Sequence, residues 1–372
     1  MRHLIMLFAL LTPAFGWAAE AFPRPASLDP AVTFWKRVFA EAPTDGGFLH
    51  DPENLAVVYE RLDLPADRAA ANRQINARKA HYAAALGALA KHPGAPRGAT
   101  QKRLRALWPD AGPATLRAAA ARIRFQRGQS DKFHAGLHRS GRWEQHIRNT
   151  FAARGLPLEL TALPHVESSF NPMAGSHVGA RGLWQFMPDT GRRFMRVDHV
   201  LDERLDPYRA TEAAAGLLEY NYERVGAWPL AITAYNHGLG GVQRAVRTTG
   251  TTDIATIIQT YRGPLFGFAS RNFYPSFLAA LSLSSASTAP REAPEVRNLA
   301  TLPAYVDPRT LAAQCDVPLE VLRAHNPAVL DGVWSGSKRL PRGYVLNLPA
   351  GADPARFVQV ASAHGFKEQR PD

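Results

Sequence analysis

Apolar and polar positions divide the chain into stretches of different kind. From residue 52 to about 156, Ala, Leu, Arg and Gln recur at helical spacing, broken at His92-Pro93-Gly94-Ala95-Pro96 and Pro109-Asp110-Ala111-Gly112-Pro113, a pattern of helices joined by turns. Leu116, Ala120 and Ile123 form the stripe of a helix expected over 114–127, and another is expected around 143–153. Beginning at Pro157, a residue type suited to the first helical position, Leu160, Leu163, Glu167 and Phe170 follow at spacings of three, four and three, which predicts a helix reaching Phe170. Between 156 and 283 the helices alternate with loops crowded with Gly, Asn, Trp, Tyr, Gln and His, and loops of that make-up usually bind something. A small, polar, Pro-containing stretch at 282–294 reads as a linker. After it, 302–306 is a weak strand, 311–327 two short helices, 334–342 an insertion and 343–349 a closing strand, before a tail.

A chain of 372 residues is long enough for two or three cores. Its start is that of a secretory signal peptide: Arg2 and His3, an apolar run from Leu4 to Leu11, then small residues around Gly16, Ala18 and Ala19, so cleavage is expected after Ala18 and export to the periplasm with it, in association with the cell wall or outer membrane. Cys315 is the only cysteine, which excludes an internal disulfide, and its apolar helical setting makes it a small core residue. The net charge of +12 favours polyanions. For an exported protein these are membrane surfaces and cell-wall polymers, and nucleic acid is not expected.

Glu167 lies on an apolar stripe. A carboxyl group removed from water is held protonated, as a general acid must be; at the usual carboxyl pKa only about one Glu in 500 carries its proton at pH 7. The alternative is a Glu paired with Arg181 or Arg192 beneath the fold. Three clusters bear on the choice: Gly182-Leu183-Trp184-Gln185-Phe186-Met187-Pro188, Ala234-Tyr235-Asn236-His237-Gly238, and Arg271-Asn272-Phe273-Tyr274-Pro275. Each sets amides or phenols beside flat apolar groups, the composition of a carbohydrate groove, since sugars have apolar faces and hydroxyl rims. Each alone is equally compatible with ordinary loop hydrogen bonding.

Taken in order, Glu167-Ser168, Gly182-Leu183-Trp184-Gln185, Ala234-Tyr235-Asn236 and Tyr274 resemble the signature motifs of the family 1 lytic transglycosylases, in the manner of the membrane-bound lytic transglycosylase D branch. The resemblance implies a mainly α fold: a lysozyme-like catalytic domain at 145–285 following an N-terminal helical region at 19–144, with a linker at 286–297, a small βααβ module at 298–351 and a tail at 352–372. It also implies a peptidoglycan substrate, Glu167 as the single catalytic acid and base, and Ser168, Gln185, Phe186, Met187, Tyr235, Asn236 and Tyr274 as residues that hold the sugars, with Tyr261 as the alternative to Tyr274. The expected reaction is non-hydrolytic, giving 1,6-anhydro ends; the alternatives are a hydrolysing muramidase of goose-lysozyme type and a non-catalytic wall-binding protein. Asp189, Asp198, Asp202, Glu203, Asp206 and Glu212 fall in charged or turn contexts, 202–207 reading as a solvated loop, so none matches Glu167 as a second carboxylate.

His165, His177, His199 and His237 lack the spacing of a metal pair, and Gly238-Leu239-Gly240-Gly241 lacks the Lys of a phosphate loop, so neither metal nor cofactor is expected. The module at 298–351 resembles a LysM glycan-binding unit, expected to tether the enzyme to its strands. Glycan strands, and beyond them the membrane surface or other cell-wall enzymes, are the expected partners of a monomer.

Overall fold

The computed structural model describes residues 21–368; the leader read at 1–18 and the last four residues lie outside the described residues. Helix α1 (Asp29–Ala40) buries Val32, Phe34, Val38 and Phe39. Strands β1 (Gly46–His50) and β2 (Val58–Asp63) lead into α2 (Arg68–Lys91), whose Asp67 cap accepts the Ala70 N–H at 2.7 Å, and then α3 (Gly98–Leu107) and α4 (Pro113–Ala121). The helix expected over 114–127 stops at Ala121, and Arg124–Arg127 forms strand β3 instead. The reason is tertiary: β3 adds to the edge of β1, with Phe48 opposite Gln126 in a β2-β1-β3 antiparallel sheet, and these pairings outweigh the local helical pattern. The N-terminal region is therefore helices packed on a small sheet.

Next come α5 (Ser130–Ser140), α6 (Glu144–Ala153), α7 (Leu163–Glu167), α8 (Pro188–Gly191), α9 (Pro207–Val225), α10 (Trp228–His237), α11 (Leu239–Thr249), α12 (Ile254–Thr260) and α13 (Phe268–Ala286). Helix α10 is apolar all round, and a helix of that kind belongs inside: Pro229 to Ala234 are all buried, with α9, α11 and α13 packed around them. The helix expected through Phe170 ends at Glu167. Ser169 and Phe170 turn left-handed, at φ 51° and 53°, which drops the Phe170 ring back into the core beside His165.

Residues 287–297 do not hang free. The Glu292 and Glu295 N–H groups donate to the carbonyls of His138 and Arg142, and the Glu295 carboxylate accepts from Trp143 Nε1 and the Tyr208 hydroxyl, both at 3.0 Å. The chain then forms β4 (Asn298–Thr301), α14 (Pro308–Cys315), α15 (Leu319–His325), α16 (Asp331–Trp334), β5 (Val345–Leu348) and α17 (Pro354–His364), with β4 antiparallel to β5. Two sequence readings change here. The opening strand lies at 298–301 rather than 302–306, and most of the expected tail is a helix that seals the module with Phe357 and Ala361. Trp334, at the start of the expected insertion, is a core residue. The module shares its core with the preceding domain: Val200 and Leu201 pack into it, and the Leu330 N–H donates to the Val200 carbonyl at 3.0 Å.

Candidate active site

Glu167 ends a helix only five residues long, in which Leu163, Pro164 and His165 are buried, so the core fixes where its side chain emerges. It opens onto a cavity of about 800 Å³. No cation pairs with it among the described residues: Arg192 is bound to Asp189, and Arg181 lies against Asp202. Surrounded by protein without a compensating charge, the carboxyl is pushed up to about 8 by burial. His165, two residues earlier, packs against Phe133 and Phe170, and burial pushes its imidazole down to about 3.

One wall of the cavity is the loop that follows Glu167 together with Gln185. The Ser168 hydroxyl donates to the Leu183 carbonyl at 2.7 Å, tying the loop after Glu167 to the Gly182–Gln185 loop. Gln185, left-handed at φ 47°, lines the cavity and donates its amide to the carbonyls of Gly182 and Ala174 at 2.9 and 3.2 Å. Gly182 has φ 82°, and a Cβ there would lie 1.7 Å from the Arg204 carbonyl oxygen, so only glycine fits. Behind the loop is a buried ion pair. The Arg204 guanidinium binds both oxygens of Asp202, at 2.7 and 2.8 Å, and donates to the carbonyls of Gly179 and Phe186 at 2.9 and 3.1 Å. Residues 202–206, read from sequence as a solvated loop, are thus mostly internal: Asp202, Arg204 and Asp206 are all buried, and the Asp206 carboxylate caps α9.

The other wall comes from β3 and α5, with Arg127, Gln129, Asp131, Lys132 and Arg139. Sequence reading passed over these residues, because on an isolated helix such charges look like an ordinary solvated face. Arg139 holds the loop after Glu167: its guanidinium donates to the carbonyls of Ser169, at 2.7 Å, and Phe170, at 3.2 Å, the two residues in left-handed backbone. Gly136 allows this approach, since a Cβ there would come within 2.7 Å of the Ser169 oxygen. We expect Arg139→Ala to release the loop, so that the amides of residues 168–171 exchange with solvent roughly tenfold faster while those of α10 are unchanged. Hydrogen exchange measures this, and uniform exchange in both proteins would show that the clamp has no effect.

The expected sugar-holding residues divide. Tyr235, at the inner end of α10, donates its hydroxyl to the Trp184 carbonyl at 2.8 Å; burial and the charge of Glu167 raise the phenol well above its usual range, so it stands near the acid. Asn236 and Met187 are exposed, and Met173 and Val178 add apolar surface on the loop after Glu167. Phe186 and Trp184 are core residues: Phe186 stands edge-on to Tyr235, and Trp184 Nε1 donates to Thr211 at 2.9 Å. Tyr274 is wholly buried, with its hydroxyl bonded to the Pro23 carbonyl at 2.8 Å, and Tyr261 packs on Phe266. None of these four lines the cavity: Trp184 and Phe186 turn inward from the loop between α7 and α8, Tyr261 packs inward just past the end of α12, and Tyr274 lies on the buried side of α13. The six acidic residues of 189–212 lie elsewhere. The second carboxylate on the cavity is Asp131, whose oxygens accept from the Thr44 N–H and hydroxyl at 3.0 and 2.5 Å.

Residues 147–258 match the family profile described as "Transglycosylase SLT domain". The chain is 40% identical over 97 residues to the membrane-bound lytic murein transglycosylase D of Escherichia coli K12, a stretch that covers 26% of this chain and 22% of that protein. It is 42% identical over 95 residues to a putative tributyltin chloride resistance protein of an Alteromonas species, covering 25% of this chain and 46% of that one. Less than half the length of either relative is therefore spanned. Among solved structures, an inactive mutant of the lytic transglycosylase Slt from Pseudomonas aeruginosa is 26% identical, with a TM-score of 0.30 over 36% of this chain and 22% of that one.

Proposed function

We propose that the protein is a lytic transglycosylase that cleaves the bond between N-acetylmuramic acid and N-acetylglucosamine in peptidoglycan without water. One observation carries this: Glu167, followed in order by the motif loops around it, opens on a cavity with its carboxyl pushed up to about 8 and, among the described residues, no ion pair to a cation. With that pKa most of the acid is protonated at neutral pH.

Glu167 gives its proton to the bridging oxygen as the bond to C1 breaks. The carboxylate so formed takes the proton of the muramoyl 6-hydroxyl, whose oxygen closes on C1. One bond breaks, one forms, the acid is restored, and the product carries a 1,6-anhydro ring. In this reading Gln185, on the cavity wall, and Tyr235, close to the acid, orient the sugars, with Asn236, Met173 and Met187 as exposed contacts. Asp131 is the natural candidate for the second carboxylate of a hydrolase, but its bonds to Thr44 hold it below the usual range against the effect of burial, and they occupy both its oxygens. The module at 298–351 is proposed as a LysM-like glycan reader, and the mature protein as a periplasmic monomer. Among the described residues no helix is long and apolar enough to cross a membrane.

Mass spectrometry of fragments released from purified sacculi tests the reaction. Products one water lighter than hydrolysed ones, without reducing ends, are expected. Reducing ends would make the protein a muramidase, and no release by the folded protein would leave a binding role.

A further inference from the structure

We infer that the C-terminal module is a wall of the substrate groove: a pocket between it and the catalytic domain takes a further saccharide of the same glycan strand that lies at Glu167. This deepens the function proposed above and rests on it for the identity of the strand.

The pocket has a volume of about 380 Å³. Pro172 and Met173 line it, and Met173 also lines the cavity of Glu167, so a chain leaving that cavity passes over this side chain, which is 59% exposed, directly into the pocket. Trp143, at the start of α6, and Tyr208, on α9, lie beneath, while Ala324, His325 and Asn347 close the far side from the module. Aromatic rings set among amide, imidazole and charged groups, with Arg142 and Glu295 also in the lining, fit a pyranose ring, which is apolar on its faces and hydroxylated around its rim.

A composite pocket needs fixed walls, and these are fixed. Glu295 accepts hydrogen bonds from both Trp143 and Tyr208, the floor residues themselves. The Arg297 guanidinium stacks 3.8 Å over the Tyr208 ring and donates to Asn347, so one side chain spans the two walls. On the opposite side, the Asp202 N–H donates to the Ala328 carbonyl at 2.7 Å, and Leu201 pairs with Val329. The module is thus docked on the preceding domain, and the segment expected as a linker is bound along the way.

The experiment uses Ala324→Trp in the full chain. Ala324 is exposed near the end of α15, so a larger side chain there fills the pocket without entering either core. Cleavage is compared on long purified glycan strands and on a tetrasaccharide, and binding of a soluble octasaccharide is measured in a Glu167→Gln background. We expect the preference for long strands over the tetrasaccharide to fall about tenfold, octasaccharide affinity to fall by a similar factor, and thermal melting to be unchanged. His325→Ala, which only removes a polar group from the wall, should move both ratios in the same direction by about threefold. Unchanged strand preference and unchanged binding in both variants would overturn the inference, as would a parent protein that binds no octasaccharide. Failure of the catalytic reading looks different: no cleavage by any protein, with octasaccharide binding still weakened by the two substitutions.

Discussion

Glu167→Gln should lower cleavage of purified peptidoglycan by about a thousandfold or more, because the amide can neither give nor take the proton that the reaction moves. The same carboxyl sets the pH dependence. Cleavage by the wild-type protein should fall as pH rises through about 8, where Glu167 loses its proton. Stability carries an independent signature. The folded-state pKa stands above the ordinary value of 4.5, so below pH 4.5 both folded and unfolded chains hold the proton and nothing is lost. Between 4.5 and 8 the unfolded chain releases it and the folded one does not, so stability declines as pH rises across that window. The Gln variant escapes this decline. It should be more stable than the wild type by on the order of 3 kcal/mol at pH 7 and no more stable at pH 4, as read by denaturant unfolding at the two values. Equal stability at both would mean that the carboxyl titrates normally, and full cleavage by the variant would remove Glu167 from the chemistry.

The second large effect lies at Arg204, a buried residue that does not line the cavity of Glu167. Its guanidinium and Asp202 are both buried, and Arg181, 3.6 Å from Asp202 and half exposed, is a poor substitute. Arg204→Ala therefore leaves a buried carboxylate without its partner and four hydrogen bonds unmade, which costs about 3–5 kcal/mol. The melting temperature should fall by roughly 10 °C. Because the same guanidinium binds the Gly179 and Phe186 carbonyls at the two ends of the Gly182–Gln185 loop, cleavage should fall well below what the unfolded fraction explains. Arg204→Lys should not restore it, since one ammonium cannot match a planar fork set between two acceptor pairs. Melting curves and initial rates on peptidoglycan measure both effects; a variant that melts with the wild type would show that the pair holds nothing.

Asp202 and Arg204 also show where sequence reading fails. Acidic and basic residues alternating before a Pro describe a solvated turn by every local rule, and only the packing of the 179–186 loop and of the C-terminal module on this segment removes them from water. The aromatic residues fail in the opposite sense. Trp184, Phe186 and Tyr274 have the composition of a sugar platform, yet their neighbours in space, Thr211, Tyr235 and Pro23, come from distant parts of the chain and close over them.

What the sequence by itself determined is local and periodic. It located most of the helices, though not the ends of those expected over 114–127 and through Phe170 nor the one at 354–364, together with the Gly182–Gln185 and Tyr235–Asn236 segments, the strand–helix–helix–strand order of the C-terminal module and a carboxyl, Glu167, set on an apolar stripe. Spacing carries that information because a helix repeats its faces regardless of what packs on them. Which face meets core and which meets the cleft was decided by tertiary structure alone. The wall opposite Glu167, the Arg139 clamp, the buried Arg204 and the docking of the module each join residues that lie far apart in the chain. No periodicity within one segment records the surface that another segment will bring to it.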